Sequence, residues 1–586
     1  MKYHPFVLLL LTLSGCSLLY DLGSDQCRTD QDCQLLGGDF VGRRCVTGLC
    51  VPRSSSGETS GDSSADASTS DDTSSTDHTS TDTPSQSTGS DDGGGDTVCT
   101  SHKQCIEEHF DEPYICQEGK CVGLITKECP IVLQPENLEV PEPIIIGAYS
   151  AINALDKMAS PITRNYNLVL DEFTERVGGL AGGPNNTRRK LVAVVCEGTK
   201  LNESPLANSI EHLIDRVKVP AIVSSLFTAD LREAFNPEDN VFFLSPLAAD
   251  SDLVGQNNQG LLWFLLGQWS DLAPAYVALT KRAEAFQKEA AQVDEIRLAL
   301  IEGSLTPARD IGQVLLSDAT HSLVFNGKTA LDNGDAHFLF RSLTSDFVDD
   351  EADVSSVVQD LLEFKPHVVV VTAGTEFTTR AMPVIEAEWE RSLGDAGSGQ
   401  PPPFYVFSPF IAADMSLLDS ANGDVRKRSA GINFAAAEDD TLYTAYRHRY
   451  SSMYGTSGVP PDGWENFYDV MYYMVYAIAA AGNPATLTGE HIAQGMLRIV
   501  SPTGNSHDVG PSAISSTLGA LAVPNNRINL KGTMGPSDFT VGIGARHTNG
   551  SVWCTPSNGG GFLYDVLRFD EESGTLEGQF PCFPNF

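Results

Sequence analysis

The chain has 586 residues, enough for several domains, and 41% of them are hydrophobic, so most of it has the means to bury a core. Its 77 acidic and 38 basic side chains leave a net charge of −39. A chain this acidic repels phosphate backbones and anionic lipid, which argues against nucleic-acid binding and against membrane docking through a basic patch.

In chain order, the first predicted element is a leader. Lys2 precedes the apolar run Phe6–Leu13, which is too short to cross a bilayer and ends in Leu13-Ser14-Gly15-Cys16. That tetrapeptide resembles the bacterial lipobox, so residues 1–15 are expected to be a signal peptide and Cys16 the lipidated residue. No later stretch reads as a transmembrane helix, so attachment to a membrane would rest on acyl chains. Ser17 rather than aspartate follows the cysteine, and by resemblance to bacterial sorting rules the expected location is the outer membrane or cell surface.

Removing Cys16 from 13 cysteines leaves twelve, an even number in an exported chain, where disulfides persist. Eight of them form two similar clusters. The first, in residues 16–53, is Cys27-x5-Cys33-x11-Cys45-x4-Cys50; the second, in residues 98–128, is Cys99-x5-Cys105-x10-Cys116-x4-Cys121. Units of this size cannot hold a hydrophobic core and need staples. Zinc is the rival reading, but a zinc site usually carries a Cys-x2–4-Cys knuckle, and both copies have x5. Each set of four allows three pairings. Between the clusters, residues 54–97 contain ten acids and no lysine or arginine among Ser, Thr, Asp and Gly. Such a composition predicts a disordered, self-repelling spacer.

From about residue 142, buried-strand runs alternate with helical periodicity. The runs are 143–148, 190–195, 221–223, 241–244, 297–301, 367–371 and 404–407. Ile162, Tyr166, Val169, Leu170, Phe173 and Val177 lie at helical spacing and Gly178-Gly179 comes next. Strands alternating with helices predict α/β lobes with parallel sheets. This region exceeds the usual size of one core, so two lobes are expected.

Pro220-Ala221-Ile222-Val223-Ser224-Ser225, Phe243-Leu244-Ser245-Pro246-Leu247-Ala248-Ala249, Trp464-Glu465-Asn466-Phe467-Tyr468-Asp469-Val470 and Arg527 to Gly535 occur in order over some 400 residues. With them, residues 142–553 resemble the type I periplasmic solute-binding proteins of the leucine/isoleucine/valine-binding kind. The resemblance implies a two-lobed Venus-flytrap within 129–586. Lobe 1 is expected at about 142–266 and 439–530, and lobe 2 at about 267–432 and 540–586, with crossings near 265–268, 430–438 and 528–540. Ligand would sit at the carboxyl ends of the strands, as in open α/β sheets generally. By the resemblance, the ligand-binding candidates are Ser150, Ser224, Ser225, Leu247, Ala248, Ala249, Ser304, Thr375 and Phe410. The family's pattern is broken where Ala249 replaces a threonine and where Ser408-Pro409-Phe410 lacks a carboxylate; Glu376 is the candidate substitute, and Phe227 could add an aromatic face. The same resemblance pairs Cys129 with Cys196 and Cys554 with Cys582.

No catalytic or phosphate-loop motif is present, and the histidines are scattered. The expectation is a non-enzyme without cofactor or metal. It would bind a small, amino-acid-like solute and serve an ABC permease or a sensor protein, or else reuse the fold as a ligand-free interaction module.

Overall fold

A computed structural model describes residues 44–46, 49–51, 98–150, 160–197, 206–226, 228–251, 253–254, 259–344, 347, 350–393, 400–412, 423–436, 441–455, 464–482, 484, 486–556, 561–582 and 586. The leader, Cys16, Cys27, Cys33, the spacer 54–97 and Phe227 lie outside them. The chain divides into two compact units, residues 1–92 and 93–586. In the first, Arg44–Val46 (β1) pairs antiparallel with Leu49–Val51 (β2), Cys45 opposite Cys50.

The second unit begins with the same hairpin. Ser101 caps helix His102–Glu108 (α1) by accepting from Gln104 N at 3.3 Å. Tyr114–Gln117 (β3) pairs with Lys120–Gly123 (β4), Cys116 opposite Cys121. Disulfides Cys99–Cys116 and Cys105–Cys121 staple the module, first cysteine to third and second to fourth. The module is fused to lobe 1. Ile106, Ile115 and Leu124 share one buried cluster with Val192, Leu213 and Phe243 of that lobe. Lys218 pairs with Glu118, and His212 Nε2 lies 3.0 Å from Leu124 O.

Lobe 1 itself opens with Ile131–Leu133 (β5), which runs antiparallel along Leu191–Glu197 (β7). This brings Cys129 to Cys196, and the two are bonded. Ile144–Ser150 (β6) leads to helix Pro161–Val177 (α2), which starts with proline in its first turn and stops at left-handed Gly178, φ 67°. Ala221–Val223 (β8), Phe242–Ser245 (β9) and Leu262–Phe264 (β10) complete a parallel sheet. Counting β6 as first, the order is 2-1-3-4-5. Both faces are covered, so the strands are apolar throughout: Leu191, Ala193 and Val195 enter one core, Val192, Val194 and Cys196 the other.

The chain then crosses at 265–268 into Ala273–Ala291 (α3). Lobe 2 repeats the pattern. Leu298–Glu302 (β11) is followed by Thr306–Ser317 (α4) and a small hairpin, Val324–Phe325 (β12) with Lys328–Thr329 (β13). Phe338–Ser342 (β14), Val368–Val371 (β15), Phe404–Phe407 (β16) and Ser429–Phe434 (β17) then give β14-β11-β15-β16-β17, again 2-1-3-4-5. Its residues also alternate between two cores, Val368 and Val370 against Val369 and Val371.

The chain returns to lobe 1 after Phe434 and forms Thr441–Tyr454 (α5) and Glu465–Ala480 (α6). Every residue of α6 except Ala479 is buried. Asn505–Asp508 (β18), Ile528–Gly532 (β19) and Gly535–Pro536 (β20) form a small sheet. Phe539–Thr540 (β21) and Ala545–Arg546 (β22) then rejoin the first sheet, Ala545 opposite Phe264. The third crossing therefore comes after Arg546, later than 528–540, because two short strands first extend lobe 1. Gly550–Cys554 (β23), Leu563–Asp570 (β24) and Thr575–Gly578 (β25) add an antiparallel edge to lobe 2. The Cys554–Cys582 bond closes that extension.

The crossings lie side by side. Ala435 N donates to Asn549 O at 2.9 Å. Gly267 has φ +93°, and a Cβ there would stand 2.6 Å from Arg546 O, so only glycine lets the first and third crossings touch.

Candidate functional site

In both sheets the polarity of the strands brings their carboxyl ends to the crossings, so the loops after them line an interlobe cleft. In lobe 1 the candidate hydroxyls are engaged. Ser150 Oγ lies 2.9 Å from Thr163 Oγ1, and Ser225 Oγ donates to Tyr149 O at 2.8 Å. Ser224 is fully buried; its N–H bonds to Leu244 O and its Oγ accepts from Leu226 N at 3.4 Å. Leu247 N donates to Ser245 Oγ at 3.1 Å. Ala249 is buried and hydrogen-bonded on both sides to the first crossing, N to Gly267 O at 2.7 Å and O from Trp269 N at 3.0 Å.

In lobe 2, Ser304 is half-buried in the turn after β11. Thr375 is exposed, and its carbonyl accepts from Thr378 and Thr379. Glu376 turns its carboxylate back onto Gly374 N at 2.9 Å. The Phe410 ring lies 4.9 Å from that of Trp269, which also packs on Phe434 at 5.3 Å. Ala248 of lobe 1 is buried in the cluster that contains Trp269 and borders Phe410. Beside it, Asp310 of α4 accepts Ser251 N at 2.6 Å and Ser251 Oγ at 2.5 Å across the lobes. Among the described residues the two lobes are thus in contact at Ser251 and Asp310 and at Ala248.

Open space lies against the crossings. A cavity of about 440 Å³ is bounded by Leu266 of the first crossing, by Asn433, Phe434 and Ala436 of the second, and by Thr533 and Met534. The N-terminus of α6 and strand β24 supply opposite walls. None of the nine candidates lines it. Asn433, Glu465, Asn466 and Asp565 do, and sequence reasoning singles out none of them as a binding residue. A signal exists for two: Glu465-Asn466 is a polar pair opening an otherwise apolar helix.

Polar groups on this wall are positioned by backbone. Asn466 Nδ2 donates to Pro246 O at 2.8 Å, while its Oδ1 is buried without a hydrogen-bond partner among the described residues. Asp565, at φ +52° in a strand whose register shifts, accepts Ala436 N at 3.3 Å. Behind the wall, Asp469 of α6 accepts Thr533 N and Met534 N, each at 3.0 Å. Burial nevertheless pushes its carboxyl up to about 6. Arg546 donates to Met534 O from the third crossing. One buried carboxylate therefore ties the late helix to the turn that lines the cavity.

No family model and no curated protein matches the chain. Solved structures do. The isoleucine complex of the branched-chain amino acid binding protein LivJ from Streptococcus pneumoniae aligns at 12% identity and a TM-score of 0.47, over 72% of this chain and 100% of that one. The leucine-binding protein LivK from Thermotoga maritima aligns at 14% and 0.48, over 73% and 99%. A fatty acid ABC transporter substrate-binding protein from Thermomonospora curvata aligns at 14% and 0.47, over 74% and 94%. The deciding observation is internal: two lobes of order 2-1-3-4-5 joined by three adjacent crossings. The fold is that of a type I periplasmic binding protein.

Proposed function

We propose that the chain is a membrane-tethered, extracytoplasmic solute-binding lipoprotein that takes a small ligand between its lobes by hinge closure, for ABC-type transport or for sensing. The observation that carries the reading is the cavity, which lies against the first and second crossings and is lined by residues of both lobes. Polar groups that converge in a concave space between two hinged bodies are what a solute site needs. The tether rests on Leu13-Ser14-Gly15-Cys16. Among the described residues no helix is long and apolar enough to cross a membrane.

A second reading, a ligand-free interaction module, is favoured by one feature: Ala248 of lobe 1 is buried in the lobe 2 cluster that contains Trp269 and borders Phe410, so the lobes are packed together there without a ligand. A thermal-shift screen of the mature chain against a library of amino acids, sugars, short acids and nucleosides separates the two. A solute-binding protein gives a concentration-dependent rise in Tm with at least one class, since a ligand at 100 times its Kd adds about 2.7 kcal/mol. A flat response across the library supports the interaction module. For the tether, Cys16→Ser should move the protein from the membrane to the soluble fraction; retention in detergent-free buffer would refute it.

A further inference from the structure

We propose that lobe 1 carries a further ligand site, in a groove at the amino ends of its strands, and that it takes a single-chain fatty acid with the carboxylate on Arg189 and the alkyl chain along the groove. The site stands independently of the interlobe cavity.

The space comes first. Helices Gly489–Ile499 (α7) and Ile514–Leu521 (α8) follow α6 in lobe 1. A groove of about 630 Å³ runs between α8, the end of α6 and the loop after α2, beside Ile144 at the start of β6. Leu180, Ile478, Leu487 and Leu518 belong to its apolar lining. Gly519 of α8 and Gly482 after α6 line it too, and a Cβ added at either would meet nothing within 4 Å. The groove is therefore open to a side chain or a ligand chain along its length.

The charge on its edge is placed by the backbone. Leu180 N donates to Arg189 O and Arg189 N to Leu180 O, each at 2.8 Å. Gly179, at φ +111°, makes this pairing possible, because a Cβ there would stand 2.4 Å from Arg189 O. The pairing sets half-buried Arg189 and exposed Arg188 on the groove. Arg189 Nε donates to Glu142 O at 3.0 Å. Its two terminal nitrogens have no partner among the described residues, and neither has Arg188. Glu142 is the one carboxylate that acts on Arg189, and it forms no ion pair with it. A third guanidinium, Arg498, is spent on the carbonyls of Ala480, Leu521, Val523 and Asn526, so it adds charge without a free edge. No carboxylate lines the groove among the described residues.

These features select the ligand. With Nε engaged, Arg189 keeps its end-on pair of N–H groups, an edge that holds both oxygens of a carboxylate. A neutral chain would cover that edge and return nothing for the water it displaces. A small hydrophilic anion would leave the apolar lining in water. An alkyl carboxylate satisfies both. The net charge of −39 does not forbid an anion here, since salt screens exposed charges beyond about 8 Å and the groove's own lining is positive.

The test is calorimetry on the mature chain with dodecanoate, 1-dodecanol and dodecyltrimethylammonium, which share one chain length and are kept below micelle formation. Two variants accompany it, each checked for native circular dichroism. Gly519→Phe fills the groove from a position with room for a side chain. Arg189→Gln removes the charged edge. The expected result is saturable binding of one dodecanoate per chain, weakened tenfold or more by each variant, with dodecanol at least tenfold weaker and the cation unbound. Dodecanoate binding that Gly519→Phe leaves unchanged overturns the site. Binding that Arg189→Gln leaves unchanged, or dodecanol as tight as dodecanoate, overturns the carboxylate contact. No saturable binding of any of the three overturns the whole proposal. None of these outcomes bears on the interlobe cavity, which neither Arg189 nor Gly519 lines.

Discussion

Glu172 is a buried acid in lobe 1 with three partners: the hydroxyls of Tyr468 and Tyr472 donate to one oxygen, and Arg449 Nε stands 2.8 Å from the other, though its N–H is not aligned for a hydrogen bond. Burial pushes the carboxyl up and the guanidinium pulls it back. Removing the arginine alone leaves a desolvated acid with only neutral donors. Arg449→Met should therefore lower stability by about 3–5 kcal/mol in urea unfolding. A loss under about 1 kcal/mol would mean that the tyrosines suffice. Asp469 makes a pH-dependent case. Its folded pKa is raised from 3.8 to about 6, so the stability it contributes is present below pH 3.8 and is lost as pH rises through 6. A rise of that size is worth roughly 3 kcal/mol. Relative to Asp469→Asn, which does not titrate, the wild type should lose that amount between pH 4 and 7; a constant gap between the two urea midpoints would contradict it.

At the scale of elements, the strands are legible because a sheet covered on both faces needs unbroken apolar runs, and 221–223 and 404–407 fall where those runs stand. The helix at 161–177 is legible from its spacing and its Gly178 stop. The helix expected from the sequence at 207–217 is present, but it winds as a π-helix over Glu211–Val217, and periodicity carries no mark of that wider winding. Short β21 and β22 escape notice because two-residue strands have no period at all. The pairing Cys129–Cys196 comes from the family resemblance, and β5 running along β7 supplies its cause. The bond spans 67 residues, and a loop that long limits the unfolded chain by roughly 4 kcal/mol. The double variant Cys129→Ala/Cys196→Ala should lose about 2–5 kcal/mol by denaturant titration, and a loss near zero would show that β5 is held by its backbone pairing alone.

Across the whole molecule, the lobes meet at Ser251 and Asp310 and where Ala248 of lobe 1 packs into the lobe 2 cluster around Trp269. An exposed contact of this kind is weak, of order 1 kcal/mol, but it acts at the far rim of a hinge. Asp310→Ala should shift the population toward open forms, read as a larger radius of gyration in solution scattering; an unchanged radius would place closure with the aromatic packing instead. The fold is legible at this scale, the candidate site less so. Loops after parallel strands can be found by counting elements, and that is how Ser224, Ser225 and Ala248 are found. Asn433, Asn466 and Asp565 are single polar residues in unrelated elements, brought together only when three crossings lie side by side, and no spacing in one dimension announces that.

The fusion of the second cysteine module to lobe 1 has a mechanical meaning. Two internal disulfides, a shared buried cluster and the Glu118–Lys218 pair make residues 98–129 a rigid collar on that lobe. A pull that reaches residue 98 along the chain is therefore passed to lobe 1. Under the hinge motion proposed above, lobe 1 with its collar would be the stator and lobe 2 the swinging arm.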